Sequence, residues 1–375
     1  MWFGAGRIVE LPRACRVLGM QRPLLVTDSA LARLPLISDA LRLCEEAGLD
    51  CGLYSQVQGN PVESNVTGGV QQYRQSGRDG VIALGGGSGL DAAKAIALMV
   101  GQERPLWDFE DREDWWTRAH TAGIAPLVAV PTTAGTGSEV GRAAVIVDPS
   151  DLGKKIIFHP RMQPDLVLAD PELTCGLPPG LTAATGMDAL AHCFEAYCAP
   201  GYHPMADGIA LEGLRMIHAN LMRAFEHGHD TTARTHMLMA AAMGATAFQK
   251  GLGLIHALSH PVGGLTGLHH GTANAIFQPY VMVHNRSVIE ARMPRLARFV
   301  GLSGERFEDV LDWVLDLRRD LGLPHRLEGV DDDDRIATIV SMAAADPSLA
   351  TNPKPCSTEE LERVLRKSIA GDLTP

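Results

Sequence analysis

Residues 80–94 read GVIALGGGSGLDAAK, a short apolar run that enters a cluster of glycines and leaves it as an alanine-rich helical segment. The apolar part, 80–84, has the length and branching of a buried strand. Gly85, Gly86 and Gly87 let the backbone approach an anion closely. The free N–H groups and dipole of the following helix favour negative charge at that point. The run is not GxGxxG, because Leu90 stands where the third glycine would be, and it lacks the GK[ST] of a Walker loop. Two readings follow: a phosphate or pyrophosphate cradle, or a tight structural turn.

Strand and helix signals alternate on both sides of this stretch. Residues 23–27 and 51–54 read as strands, each followed by a helix, 29–47 and 63–76. Residues 127–130 and 165–169 read as further strands, and 144–147 with 155–158 as a hairpin. This rhythm predicts a parallel sheet in a Rossmann-like α/β dinucleotide-binding domain over 1–180. From Leu181 the strand signals stop, and Ala, Leu and Met recur at helical spacing, predicting an all-α domain over 181–375. A length of 375 residues suits two domains. Hydrophobic content of 46%, charged content of 21% and a mean hydropathy of +0.02 describe a globular chain.

A net charge of −11 with no basic cluster argues against a nucleic-acid partner and for small molecules. Apolar runs are all shorter than the about 18 residues a spanning helix needs, and MWFGAGRIVELPRAC at the start has no signal-peptide pattern. The expectation is a cytoplasmic protein with no membrane partner. Seven cysteines without a CxxC pair fit reduced thiols, Cys193 among them as a packing residue.

The chemistry-bearing residues lie in the second half. Asp188 and His192, one turn apart in GMDALAHCFEAY (186–197), share a helix face. His256 lies in GLGLIHALSHPVG (251–263), a helical stretch expected to end at Pro261, and His270 lies in LHHGTANA (268–275) at the turn into the next helix. Three imidazoles and a carboxylate suit one divalent cation: Fe(II), Zn(II) or another N/O-liking metal such as Mn(II). Earlier in the chain, PTTAGTGSE (131–139) follows a strand at the end where open α/β sheets bind ligands, so Thr132, Thr133, Thr136 and Ser138 are candidate cofactor contacts. The alternative is a turn satisfying itself. Asp28 closes the first predicted strand, where a carboxylate can accept from ribose hydroxyls and repel a 2′-phosphate, or simply cap a helix.

Together these segments, with NP at 60–61 and DP at 170–171, resemble the iron-containing (group III) alcohol dehydrogenases, the family of lactaldehyde reductase, over nearly the whole chain. The resemblance implies a metal-dependent oxidoreductase moving hydride between a nicotinamide and a small alcohol or aldehyde. The cofactor is expected between the two domains, NAD(H) in preference to NADP(H) given Asp28. Fe(II) is the expected metal, held by Asp188, His192, His256 and His270 and not by the neighbouring His269. Asn60, Gly85, Gly86, Gly87, Ser88, Asp91 and Lys94 match the cofactor side. His260 matches a second-sphere histidine near the nicotinamide, fit to relay a proton; bonding within the wall is its alternative. The family implies a homodimer or larger homo-oligomer. Two rival activities share the architecture: a dehydroquinate-synthase-like lyase, and a maleylacetate reductase, whose members depart from the full ligand set. Arg142 and Lys250 could each hold a carboxylate, making a short hydroxy acid or semialdehyde a candidate substrate, or could face solvent or cofactor instead.

Overall fold

The computed structural model describes residues 1–374. The chain divides into two compact units: Met1–Thr133 with Gly137–Gly176, and Ala134–Thr136 with the chain from Leu177 onward.

The first unit runs β1 (Trp2–Phe3), α1 (Leu11–Val17), β2 (Pro23–Asp28), α2 (Pro35–Glu46), β3 (Gly52–Val57), α3 (Glu63–Gln75), β4 (Gly80–Gly85), α4 (Gly87–Met99), β5 (Leu127–Pro131), β6 (Ala143–Val147), β7 (Lys154–Phe158) and β8 (Leu166–Ala169). Six strands form a parallel sheet in the order β1-β8-β5-β4-β2-β3, while β6 and β7 form a separate antiparallel hairpin. β4 and β5 are buried along their whole length, as an apolar strand covered on both faces must be. From β2 the chain steps outward to β3 and then crosses back to β4 on the other side. The carboxyl ends of β2 and β4 therefore flank a topological switch point, where ligands of open α/β sheets bind. The helix predicted over 29–47 begins only at Pro35, whose fixed φ and missing N–H suit a first helical position; a 3₁₀ turn occupies Leu31–Arg33.

The second unit is helical throughout: α5 (Pro179–Cys198), α6 (Pro204–Glu226), α7 (Thr231–Ala247), α8 (Leu254–Thr266), α9 (His270–Ile289), α10 (Met293–Val300), α11 (Phe307–Asp320), α12 (Asp333–Ala344) and α13 (Thr358–Ala370). α5 is buried on every face from Thr182 to Cys198, so it is the central helix of this unit. Gly271 brings α9 onto α5: a Cβ there would lie 2.1 Å from the Ala184 carbonyl oxygen. Leu254, Ile255, Leu258 and Val262 of α8 pack into one core with residues of α9, α12 and α13.

That packing corrects the expectation that Pro261 ends its helix. α8 continues through Pro261 to Thr266 and stops at Gly267 in the left-handed region (φ 74°). A proline in a helix interior sacrifices a backbone hydrogen bond, and here the apolar face on either side of it outweighs that loss. The acidic run at 331–334 lies at a helix start: Asp332 caps α12 by accepting from the Arg335 N–H. Among the described residues no single helix is long and apolar enough to cross a membrane.

Candidate metal centre and phosphate cradle

α5 is long enough to put Asp188, His192 and Glu195 on one stripe, at intervals of four and three residues. α8 supplies His256 and His260, again four apart, and α9 opens on His270. One ligand atom from each of Asp188, His192, His256 and His270 falls within 4.8 Å of all the others. From Asp188 Oδ1 the Nε2 atoms of His192, His256 and His270 are 3.7, 3.9 and 3.5 Å away. The Asn274 amide nitrogen donates to Asp188 Oδ1 at 2.8 Å and lies 3.3 and 3.2 Å from Nε2 of His256 and His270. These acceptor atoms thus converge on one electropositive group, the arrangement a cation requires.

The protonation state of His192 suits a cation too. Burial pushes His192 down to about 4, against the pull of the Asp188 carboxylate, so its imidazole is neutral and has a lone pair to give. Burial also works to lower His256, but the hydrogen bond and charge of Glu195 and the charge of Asp188 outweigh it and raise that group. Glu195 Oε2 lies 2.6 Å from His256 Nδ1 and its Oε1 accepts from the Ile255 N–H at 2.7 Å, which fixes the ring and leaves Nε2 toward Asp188. His260 is held the same way, its Nδ1 2.7 Å from Asp346 Oδ2, with its ring stacked on His270 at 5.4 Å between centroids. Phe248 closes against His192 at 5.0 Å.

Glu195, Asn274 and Asp346 are absent from the sequence-based site. Glu195 had a signal: seven residues after Asp188, it continues the stripe of Asp188 and His192. Asn274 stands one turn after His270 in the same way, whereas Asp346 lies 86 residues from His260 and left no local trace.

In the first unit, Asp28, Asn60, Gly85–Ser88, Thr132 and Thr133 gather at the carboxyl ends of β2, β4 and β5. The Asn60 N–H donates to Ser88 Oγ at 3.3 Å, and the Thr132 N–H to the Gly85 carbonyl at 3.0 Å. A Cβ on Gly86 would stand 3.1 Å from Thr133 Cγ2, so a side chain there would press on Thr133. Asp28 Oδ1 accepts from the N–H groups of Ala30 and Leu31, so it caps the following turn; its Oδ2 faces the Gly85 position at 3.9 Å. Thr136 belongs to the second unit.

Three of the expected cofactor contacts have their side chains engaged within the protein. Asp91 Oδ1 accepts from Ser138 Oγ at 2.5 Å and Oδ2 from the Val145 N–H at 2.9 Å. Lys94, 1% exposed, donates to the carbonyls of Ser138 and Ala143 and pairs with Asp91 at 3.2 Å. The side chains of Asp91, Lys94 and Ser138 thus tie α4 to the 131–139 loop and the hairpin, because buried polar groups must find partners. The buried ammonium of Lys250 pairs with Asp207 Oδ1 at 2.7 Å, and Asp207 also binds Arg292. Arg142 is exposed, with its guanidinium 5.4 Å from the Phe158 ring centre.

Comparison with known proteins agrees with this geometry. Residues 1–171 match the family described as iron-containing alcohol dehydrogenase, and residues 182–369 the C-terminal domain of the Fe-containing alcohol dehydrogenase family. The chain is 42% identical to 4-hydroxybutyrate dehydrogenase of Cupriavidus necator, over 97% of this chain and 96% of that protein. Among solved structures, a 1,3-propanediol oxidoreductase superposes with a TM-score of 0.92 at 32% identity, covering 98% of this chain and 97% of its own. The sulfoacetaldehyde reductase of Bifidobacterium kashiwanohense, solved with NAD+, gives 0.86 at 26% identity, covering 98% and 96%. With both units matched, and Asp188, His192, His256 and His270 gathered on α5, α8 and α9 as a group that could hold a metal ion, the chain belongs to the iron-containing alcohol dehydrogenase family and is an oxidoreductase.

Proposed function

We propose that the chain interconverts a short hydroxy acid and its semialdehyde with NAD(H). The observation that carries this reading is the 42% identity to a 4-hydroxybutyrate dehydrogenase along 97% of the chain. A second relative, the sulfoacetaldehyde reductase, likewise takes an aldehyde with an anionic tail.

Asp188, His192, His256 and His270 would hold a divalent metal, Fe(II) in this reading. Such a metal supplies a Lewis acid for the substrate oxygen, and a bound nicotinamide accepts or returns the hydride. Glu195 keeps His256 in the tautomer whose Nε2 is a ligand. With its Nδ1–H given to Asp346, His260 presents Nε2 as the atom that accepts a proton when an alcohol is oxidised and returns it in the reverse direction. Gly86, Gly87 and Ser88 open α4 toward the β2–β4 switch point, where their N–H groups suit a pyrophosphate. The free oxygen of Asp28 suits ribose hydroxyls and opposes a 2′-phosphate. Arg142 is the cation proposed to hold the substrate's carboxylate. The same reading includes cytoplasmic residence, consistent with thiols that form no disulfide, and assembly into a homodimer or larger oligomer.

The test is an anaerobic comparison of kcat/KM with NAD+ for 4-hydroxybutyrate and for 1-butanol, which lacks the carboxylate. A charge-assisted hydrogen bond to the tail is worth about 1.5–3 kcal/mol. The hydroxy acid should therefore be favoured by about ten- to a hundredfold. A preference for 1-butanol would overturn the proposed substrate class while leaving the family assignment intact.

A further inference from the structure

α9 carries chemistry at both ends. Its first residue, His270, belongs to the centre described above; fourteen residues later, and so about 21 Å further along the helix axis, stands His284. His284 Nε2 is sealed from solvent and has no hydrogen-bond partner among the described residues. A buried ring nitrogen in that condition forgoes an interaction worth about 1 kcal/mol or more. Its neighbours are of the kind a metal uses. One ligand atom each from His284, Cys356 and Glu360 lies within 4.8 Å of the other two.

Those two partners sit where α13 begins. Ser357 caps α13, with Cys356 just before it and Glu360 in the first turn. Glu360 Oε2 accepts from the Ser357 N–H at 3.1 Å and Oε1 from Lys354 Nζ at 2.9 Å. Each oxygen keeps a further lone pair. Among the described residues Cys356 Sγ makes only a long 3.7 Å hydrogen-bond contact, to the Ser357 carbonyl. The thiol and the imidazole are therefore both available, and the carboxylate is already oriented by the helix cap.

We propose that His284, Cys356 and Glu360 form a second divalent-cation site, of the kind that takes Zn(II), which pins the start of α13 to α9. A nitrogen, a thiolate and a carboxylate oxygen match the borderline-soft preference of Zn(II). Bonds of about 2.0–2.3 Å set tetrahedral ligand atoms about 3.3–3.8 Å apart, so side-chain adjustment suffices to close the triangle. Lys354 is the built-in competitor: it neutralises Glu360 when no cation is bound and must yield Oε1 if the carboxylate is to coordinate through that oxygen. The site is independent of the substrate proposed above.

The difference in donor atoms makes the test selective. The Asp188 centre has no sulfur, whereas the second site does, so Co(II) bound there gives a thiolate-to-metal charge-transfer band in the near ultraviolet. The full-length protein, stripped of metal and titrated with Co(II), should take up a second equivalent per chain and develop that band. Cys356→Ser and His284→Gln should each abolish the band and remove one equivalent. His256→Ala should disturb the other site and keep the band. Uptake of a single equivalent without the band, or a band that survives Cys356→Ser, would overturn the proposal.

Discussion

Glu195→Gln is the change that most directly tests how the metal centre is held. The carboxylate is 5% exposed and serves two donors, the Ile255 N–H at 2.7 Å and His256 Nδ1 at 2.6 Å. A carboxamide has one oxygen for these two donors. If that oxygen faces His256, the NH2 group meets the Ile255 N–H; if it faces Ile255, the NH2 group meets Nδ1 and drives the ring proton to Nε2, the atom the metal needs. Each arrangement leaves a buried donor unsatisfied, a cost of about 1–3 kcal/mol. Loss of such an outer partner lowers metal affinity by about 10- to 100-fold, equivalent to about 1.4–2.7 kcal/mol. The assay is competition with a chromophoric chelator, followed by activity against added metal. Excess cation should restore much of the activity, since the ligands remain. Unchanged affinity would refute the claim that Glu195 sets the His256 tautomer.

Four other perturbations probe separate parts of the chain. Asp28→Gly should narrow or reverse the preference for NAD over NADP, and Asp28→Asn, which keeps a capping oxygen for the Ala30 and Leu31 N–H groups, should narrow it with less loss of stability; equal use of both cofactors by the unmodified enzyme would count against the role of this carboxylate. Arg142→Ala should raise KM for 4-hydroxybutyrate and spare 1-butanol. Lys250→Met should leave that discrimination alone but lower thermal stability, by up to about 3 kcal/mol, because Asp207 retains Arg292. The fourth concerns Glu139, whose carboxyl is pushed by burial up to about 7, against the pull of its own backbone N–H and of Lys94. Its folded-state value lies above the unfolded one, so its contribution is fully present below about pH 4.5 and is lost as pH rises through 7, at up to about 1.4 kcal/mol per pH unit. Subtracting the Tm–pH profile of Glu139→Gln from that of the unmodified protein should leave this slope; identical profiles would show that the group titrates normally.

Much of this architecture is legible in the chain because it rests on local periodicity. The strand–glycine–helix run at 80–94 and the i, i+4 pairs 188/192 and 256/260 are repeats of a few residues, and helix geometry turns them directly into shared faces. What local periodicity leaves out lies in distant contacts. Asp91, Lys94 and Ser138 have the composition of cofactor contacts, yet they satisfy one another across 47 residues of chain, a pairing no single segment displays. Lys250 lies beside the metal-ligand segment in sequence and meets Asp207, 43 residues earlier. Pro261 is a helix breaker by local rule, overruled by a core built partly from α12 and α13. Glu195 differs: its spacing was visible, but a carboxylate on a helix is too ordinary to be singled out without the imidazole it touches.

The close approach at Gly271 separates what can change in this enzyme from what cannot. Because backbone meets backbone where α9 crosses α5, the positions of Asp188 and His270 are inherited from the packing of two helices and not from the side chains themselves. An engineer could exchange the donor atoms, a glutamate for the aspartate or a cysteine for a histidine, and expect the scaffold to present the new set in nearly the same place. The glycine admits no such freedom. Efforts to retune this catalyst toward another cation should vary the four donors and leave residue 271 untouched.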